Sequence, residues 1–161
     1  MTATNNQTKA AEGGSSPAAC CVSFVRMFKP QFAGMVDTGN KRQTVRPIPK
    51  RMPKPGDRIS LRCWTDKPYR SKQRVLRDSV VSEVQLIRIE DHAITIDGRS
   101  LSEREIRDFA RADGFNTDRG MIEWFATTHG LPFDGVVIHW HNDKEHAPAL
   151  AILHAETGGV A

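Results

Sequence analysis

Residues 39–46 read GNKRQTVR, and the chain runs on as PIPKRMPKPGD to residue 57 and RISLRCW to residue 64. Prolines at 47, 49, 53 and 55 deny the middle of this stretch a regular ladder, and Pro55-Gly56-Asp57 is a turn signal. Residues 44–46, TVR, read as a short strand. Beyond the turn, Ile59, Leu61 and Cys63 alternate with Arg58, Ser60 and Arg62, as a strand with one wet face does. Two strands joined by an irregular basic loop are therefore predicted. The stretch carries Lys41, Arg42, Arg46, Lys50, Arg51 and Lys54 with no acid before Asp57, which suits the floor and rim of a pocket for a nucleotide or nucleic acid.

Upstream, Val22, Phe24 and Val25 suggest a short strand. Residues 30–38 read as a helix with proline at its first position and Gly39 as its stop, so Lys41 falls just past a helix C-terminus. Downstream, a polar loop, TDKPYRSKQR, precedes a long strand region at 75–90. There Val84 and Leu86 give way to Ile87 and Ile89, a phase switch that predicts a bulge or a strand turning a corner. Residues 93–96 make a further strand ending at Asp97-Gly98. Ser100 or Ser102 caps a helix whose apolar face is Leu101, Ile106, Phe109 and Ala110. Asp118 is the expected cap of a second helix, buried through Met121, Ile122, Trp124 and Phe125 and stopped at Gly130. GVVIHW at 135–140 reads as a returning strand. Strands, two helices and a closing strand make an α+β domain, a small β-barrel or curved mixed sheet with flanking helices.

The 161 residues suffice for one domain, expected over 20–142, with a disordered tail at 1–19 and a weakly structured one at 143–161. No apolar run approaches the roughly 20 residues that cross a bilayer, and the first residues lack the basic start and apolar stretch of a secretory signal, so no membrane partner and a cytoplasmic setting are expected. Cys20, Cys21 and Cys63 form no disulfide framework and read as reduced thiols. Neither they nor His139 and His141 supply a CxxC or HxxxH pair, so no metal and no other cofactor is expected. The net charge of +4 hides an asymmetry. Residues 41–77 hold 13 Lys or Arg and two acids, leaving, of the 23 bases and 19 acids in all, 10 bases and 17 acids elsewhere. That is the footprint of a polyanion-binding surface.

The order of apolar strand, short helix ending in G-x-K, x-x-T-x-R, variable basic stretch, GD with a following strand, and later DGF at 113–115 resembles the ASCH domain of the PUA-like superfamily. The likeness spans roughly residues 22–141. It implies a small PUA-like β-barrel with flanking helices and a cleft beside the basic motif, in a family associated with RNA binding and nucleotide chemistry. One bacterial branch hydrolyses the amide of acetylated cytidine. Carried over by motif, that branch's lysine proton acceptor falls on Lys41, its nucleophilic threonine on Thr44, and its acidic proton donor, normally glutamate, on Asp113. The aspartate departs from the pattern, because its carboxylate reaches about one methylene less far and catalytic positioning is sensitive to shifts on the order of 1 Å.

Each residue also has a plainer reading. Lys41 neutralises a helix end, Thr44 is a β-former, Arg46 pairs structurally with Asp57 or Asp113, and Asp113 before glycine shapes a turn. Trp64 and Tyr69 flank the basic stretch and are the better stacking partners for a base, whereas Phe28, Phe32, Trp124 and Phe125 fit buried faces. In the HWH stretch, alternation sets His139 and His141 opposite Trp140 as surface imidazoles. Three functions are consistent with this pattern. The first is a binding module for RNA, a nucleotide or a modified nucleoside, with Arg42, Arg46, Lys50, Arg51 and Lys54 on phosphates. The second is an amidohydrolase on an acylated pyrimidine nucleoside using Lys41, Thr44 and Asp113. The third is a metal-independent ribonuclease.

Overall fold

The computed structural model describes residues 22–141. Both expected tails, Cys20 and Cys21 lie outside the described residues. The chain is α+β. Its order is β1 (Ser23–Phe28), α1 (Pro30–Asp37), β2 (Gln43–Pro47), β3 (Arg58–Trp64), β4 (Gln73–Ile89), β5 (Ile94–Ile96), β6 (Arg99–Ser100), α2 (Glu103–Ala112), α3 (Asp118–His129) and β7 (Phe133–Trp140). Among the described residues no helix is long and apolar enough to cross a membrane.

The 17-residue β4 organises the sheet. Its first half pairs antiparallel with β3, which takes β1 in parallel on its other side. The second half pairs antiparallel with β7 and, at residues 87–89, with β5. β7 in turn pairs with β2. The pairings among the described residues end at β1, β2 and β6.

A strand shared between two partner sets must change direction, and β4 does so through register shifts. One lies opposite Leu61/Arg62 and another between Val81 and Glu83. The expected bulge is therefore real but sits at residue 82 rather than at the Leu86–Ile87 phase switch. Its position is fixed by where β3 hands over to β7, which is a tertiary matter. β6 is likewise absent from the local reading, because two exposed residues carry no period.

β7 is buried on both faces. Val136, Ile138 and Trp140 join a core with Phe28, Phe32, Val36, Leu61 and Val81. Val137 joins a second core with Val45, Ile87, Ile94, Ile106, Met121 and Phe125. Phe115 packs against both. Phe28, Phe32 and Phe125 are buried as expected, Trp140 joins them, and Trp124 is half-buried with the Lys29 ammonium 5.1 Å from its ring centroid.

The helix starts follow capping chemistry. Ser102 and Glu105 form a capping box. For α3 the cap is Thr117, whose hydroxyl accepts from the Gly120 amide at 3.0 Å, and Asp118 is the first helical residue. An acid in the first turn favours the helix dipole there, so two adjacent polar residues divide the roles given to one. His139 is also corrected, being half-buried and 3.0 Å from Gln85 Oε1. Burial pushes its pKa down, against the opposing charge of Glu83.

Gly135 fixes the distance between β2 and β7. A Cβ there would stand 2.5 Å from the Arg46 carbonyl oxygen and 2.6 Å from the Phe133 ring, closer than packed atoms approach. Gly135→Ala is expected to cost about 1–3 kcal/mol through this overpacking, read as a lower urea midpoint with unchanged slope.

Candidate functional site

β2 brings the motif residues to one place by alternation. Thr44 lies opposite Ile138 and Arg46 opposite Val136, so both side chains share the face that belongs to the Phe28/Phe32 core. Val45 points to the other core. Lys41, in the turn before β2, is held by its own backbone, whose amide donates to the Met35 carbonyl at 2.9 Å. Its side chain then runs inward.

The end of α2 receives it. Asp113 is the C-cap of that helix, and the chain leaves in a Schellman arrangement. The Phe115 amide donates to the Ala110 carbonyl at 2.8 Å and the Gly114 amide to the Arg111 carbonyl at 3.0 Å. Gly114 takes φ +91°, and a Cβ on it would lie 3.1 Å from Met35 Sδ and 3.4 Å from Lys41 Cδ. Glycine is thus required both by the turn and by the lysine stem passing over it.

Lys41 and Asp113, 72 residues apart, meet in the interior. Lys41 Nζ lies 2.9 Å from Asp113 Oδ1 and also donates to the Asp113 backbone carbonyl. Lys41 is 2% exposed and Asp113 4%. The Phe32 and Phe28 ring centroids stand 5.1 and 5.9 Å from the ammonium, which supplies part of the solvation lost on burial. Lys41 does neutralise a helix end, but that of α2 and not of the helix preceding it.

Electrostatics follow from burial. Desolvation pushes the Lys41 pKa down, with the Asp113 carboxylate opposing and Arg46 assisting. Desolvation pushes the Asp113 pKa up, opposed by Lys41, by Arg46 and by a backbone hydrogen bond from Val45. Burial thus shifts the acid and the base toward each other.

The other named residues divide by location. Arg46 is half-buried, donates from Nη2 to the Met27 carbonyl at 2.7 Å, and places its Cζ 5.2 Å from the Phe28 ring centroid. Its partner is thus a β1 carbonyl, while Asp57 accepts from the Val22 and Lys54 amides and shapes its own turn. Thr44 is buried. Arg42, Lys50, Arg51 and Lys54 are exposed. Trp64 and Tyr69 contact each other, centroids 5.3 Å apart, at the β3–β4 turn, where Tyr69 is 90% exposed with φ +64°. Sequence reasoning missed Arg26, whose charge acts on Arg46. Its signal was an arginine placed at period two between Phe24 and Phe28.

A separate cleft of about 340 Å³ runs between α2 and α3. It holds Asp91, Glu103, Asp118 and Glu123 against Arg107 and Arg119, a balance unsuited to an anion. Among the described residues no group of His, Cys, Asp and Glu side chains is arranged to hold a metal ion. Compared with family models, curated proteins and solved structures, the chain matches none.

Replacing one partner of a buried pair strands the other charge. Lys41→Met is expected to cost about 3–5 kcal/mol, and Lys41→Met/Asp113→Leu to recover much of it. The sign of the pH dependence follows from the raised Asp113 pKa. In the Lys41→Met protein the fold favours the protonated carboxyl, so stability is full below the ordinary carboxylate pKa and is lost as pH rises through the raised one. Denaturant melts of both variants at acid and neutral pH test this.

Proposed function

We propose that this chain is an ASCH-type domain of PUA-like architecture, with its sheet curved toward a barrel, that binds a nucleotide or the nucleotide units of RNA. The observation that carries the reading is the meeting of Lys41 and Asp113 beside Arg46 and the Thr44 face of β2. A buried ion pair is a poor source of stability, and the resemblance assigns a ligand site to these same positions. The excess of bases in residues 41–77 supports an anionic ligand. Lys50, Arg51 and Lys54, exposed on the loop that follows β2, take backbone phosphates in this reading, and Trp64 with Tyr69 offers a face for a base.

Counterion release gives the test. With three phosphates neutralised, affinity for a single-stranded oligoribonucleotide is expected to fall by about tenfold or more between 50 and 200 mM salt. The variant Lys50→Gln/Arg51→Gln/Lys54→Gln should bind more weakly with a shallower salt slope, because these side chains are exposed and their loss spares the core. Equal affinity at both salt concentrations contradicts the reading.

A second reading, an amidohydrolase on an acylated pyrimidine nucleoside, is favoured by one observation. Burial drives Lys41 toward a neutral amine and Asp113 toward a neutral acid, which are the forms a general base and a general acid require. Lys41 would then take the Thr44 proton as its oxygen attacks the amide carbonyl, Asp113 protonate the leaving amine, and water then release the acyl group from Thr44 as its carboxylate. Asp113→Asn should remove at least 100-fold of kcat on an acylated cytidine while binding persists; a wild-type protein inert toward a panel of acylated nucleosides rejects this chemistry.

A further inference from the structure

The site described so far uses Lys41, Thr44, Arg46 and Asp113 and leaves one cation without a task. Arg26 lies on β1 at period two from Phe24 and Phe28, and its Cζ stands 5.2 Å from the Phe24 ring centroid. Arg46 holds the equivalent place over Phe28, also at 5.2 Å. Each guanidinium makes one hydrogen bond to a β1 carbonyl, Arg26 Nη1 to Val25 at 3.0 Å and Arg46 Nη2 to Met27 at 2.7 Å. Both Nε atoms are buried, and neither finds a hydrogen-bond partner among the described residues.

Charge is unbalanced in the same way. Arg46 is acted on by two further cations, Arg26 and Lys41, and by one carboxylate, Asp113, which Lys41 already engages. Three cations against one anion leave two positive charges in a half-buried space. The two arginines also act on each other, since after desolvation the Arg26 charge is the next largest influence lowering the Arg46 pKa. Like charges that carry orphaned donors destabilise a fold unless an anion completes them. The phenyl rings under each guanidinium hold the planes from one side, and incomplete burial leaves the remaining donors within reach of a solute.

We propose that Arg26 and Arg46 form an oxyanion subsite that takes a phosphate ester of the nucleotide ligand. Planar guanidinium donors match phosphate oxygens in pairs, and a phosphate supplies both the acceptors and the negative charge this space lacks. The inference rests on the nucleotide reading and deepens it, because a neutral nucleoside satisfies neither requirement.

The test titrates wild type and Arg26→Met with the four ribonucleosides, their 5′-monophosphates, a 5′-hydroxyl trinucleotide that carries only diesters, and inorganic phosphate. The preferred monophosphate is expected to bind about 10- to 100-fold more tightly than its nucleoside. Arg26→Met should lose that increment and keep the nucleoside affinity, and Arg26→Lys, which keeps charge without the fork, should recover part of it. A trinucleotide that matches the gain places a diester in the subsite; one that trails it places a monoester. Without ligand, Arg26→Met should melt on the order of 3 °C higher, since it removes a repelled charge, whereas a lower melting point means native contacts hold the guanidinium and counts against the proposal. Nucleoside and monophosphate binding equally overturns the subsite and spares the nucleotide site. Inorganic phosphate raising the melting point of wild type but not of Arg26→Met, with no nucleotide bound, keeps the subsite and sinks the nucleotide reading. No binding of any probe sinks both.

Discussion

The interaction on which the arrangement turns is the buried contact between Lys41 and Asp113. It ties the turn after α1 to the far end of α2, and so joins two parts of the chain that share no strand pairing. Taking both charges out of water costs several kcal/mol apiece after relaxation. The fold offsets this with the free carbonyl at the helix end, the negative pole of that helix, and the faces of Phe28 and Phe32. A leucine and a methionine of similar volume would need none of these supports. That so much local structure serves one polar contact, including a glycine at φ +91° under the lysine stem, is the physical reason to look for chemistry there and not at the acidic cleft between α2 and α3.

The two cores explain why the contact sits where it does. β7 separates them, giving Val136, Ile138 and Trp140 to one and Val137 to the other, and β2 follows the same alternation as its neighbour. Thr44 and Arg46 thereby inherit the side on which α1 and β1 pack. Asp113 comes from the helix layer of the second core, and Phe115 touches both. The polar residues occupy the seam, where neither core can supply enough apolar side chains to close.

Much of this was legible from local rules, and what was not has a common cause. Pro30 and Gly39 bounded α1, Ser102 with Glu105 marked the start of α2, and alternation placed Ile59, Leu61 and Cys63 inside, because each signal acts within a few residues of itself. The β4 bulge at residue 82, the two-residue β6 and the division of roles between Thr117 and Asp118 depend on partners distant in sequence or on one hydrogen bond among near equivalents. The pairing of Lys41 with Asp113 has no local period at all, and only the motif resemblance set the two side by side. Arg26 escaped even that, since alternation sets it on the same face as Phe24 and Phe28, where local rules expect an apolar residue and not a ligand-facing cation. Trp64 and Tyr69, grouped with the basic stretch on sequence proximity, stand against each other at the β3–β4 turn, a contact that no local period announces.

Burial grades the basic residues in a way that composition alone conceals. Lys50, Arg51 and Lys54 are exposed, Arg26 and Arg46 half-buried, and Lys41 closed off from water. Exposed charges separated by more than about 8 Å are screened at physiological salt, so the loop cations act on an anion only where it comes close to them. The guanidiniums over Phe24 and Phe28, partly shielded, keep their field, and in the proposed subsite they act on how long an anion stays. The ammonium at Asp113 is the one whose protonation state the fold itself biases. The three sets thus sit in three different dielectric settings, and under the proposed reading a phosphate-bearing molecule is the simplest solute that answers to all of them.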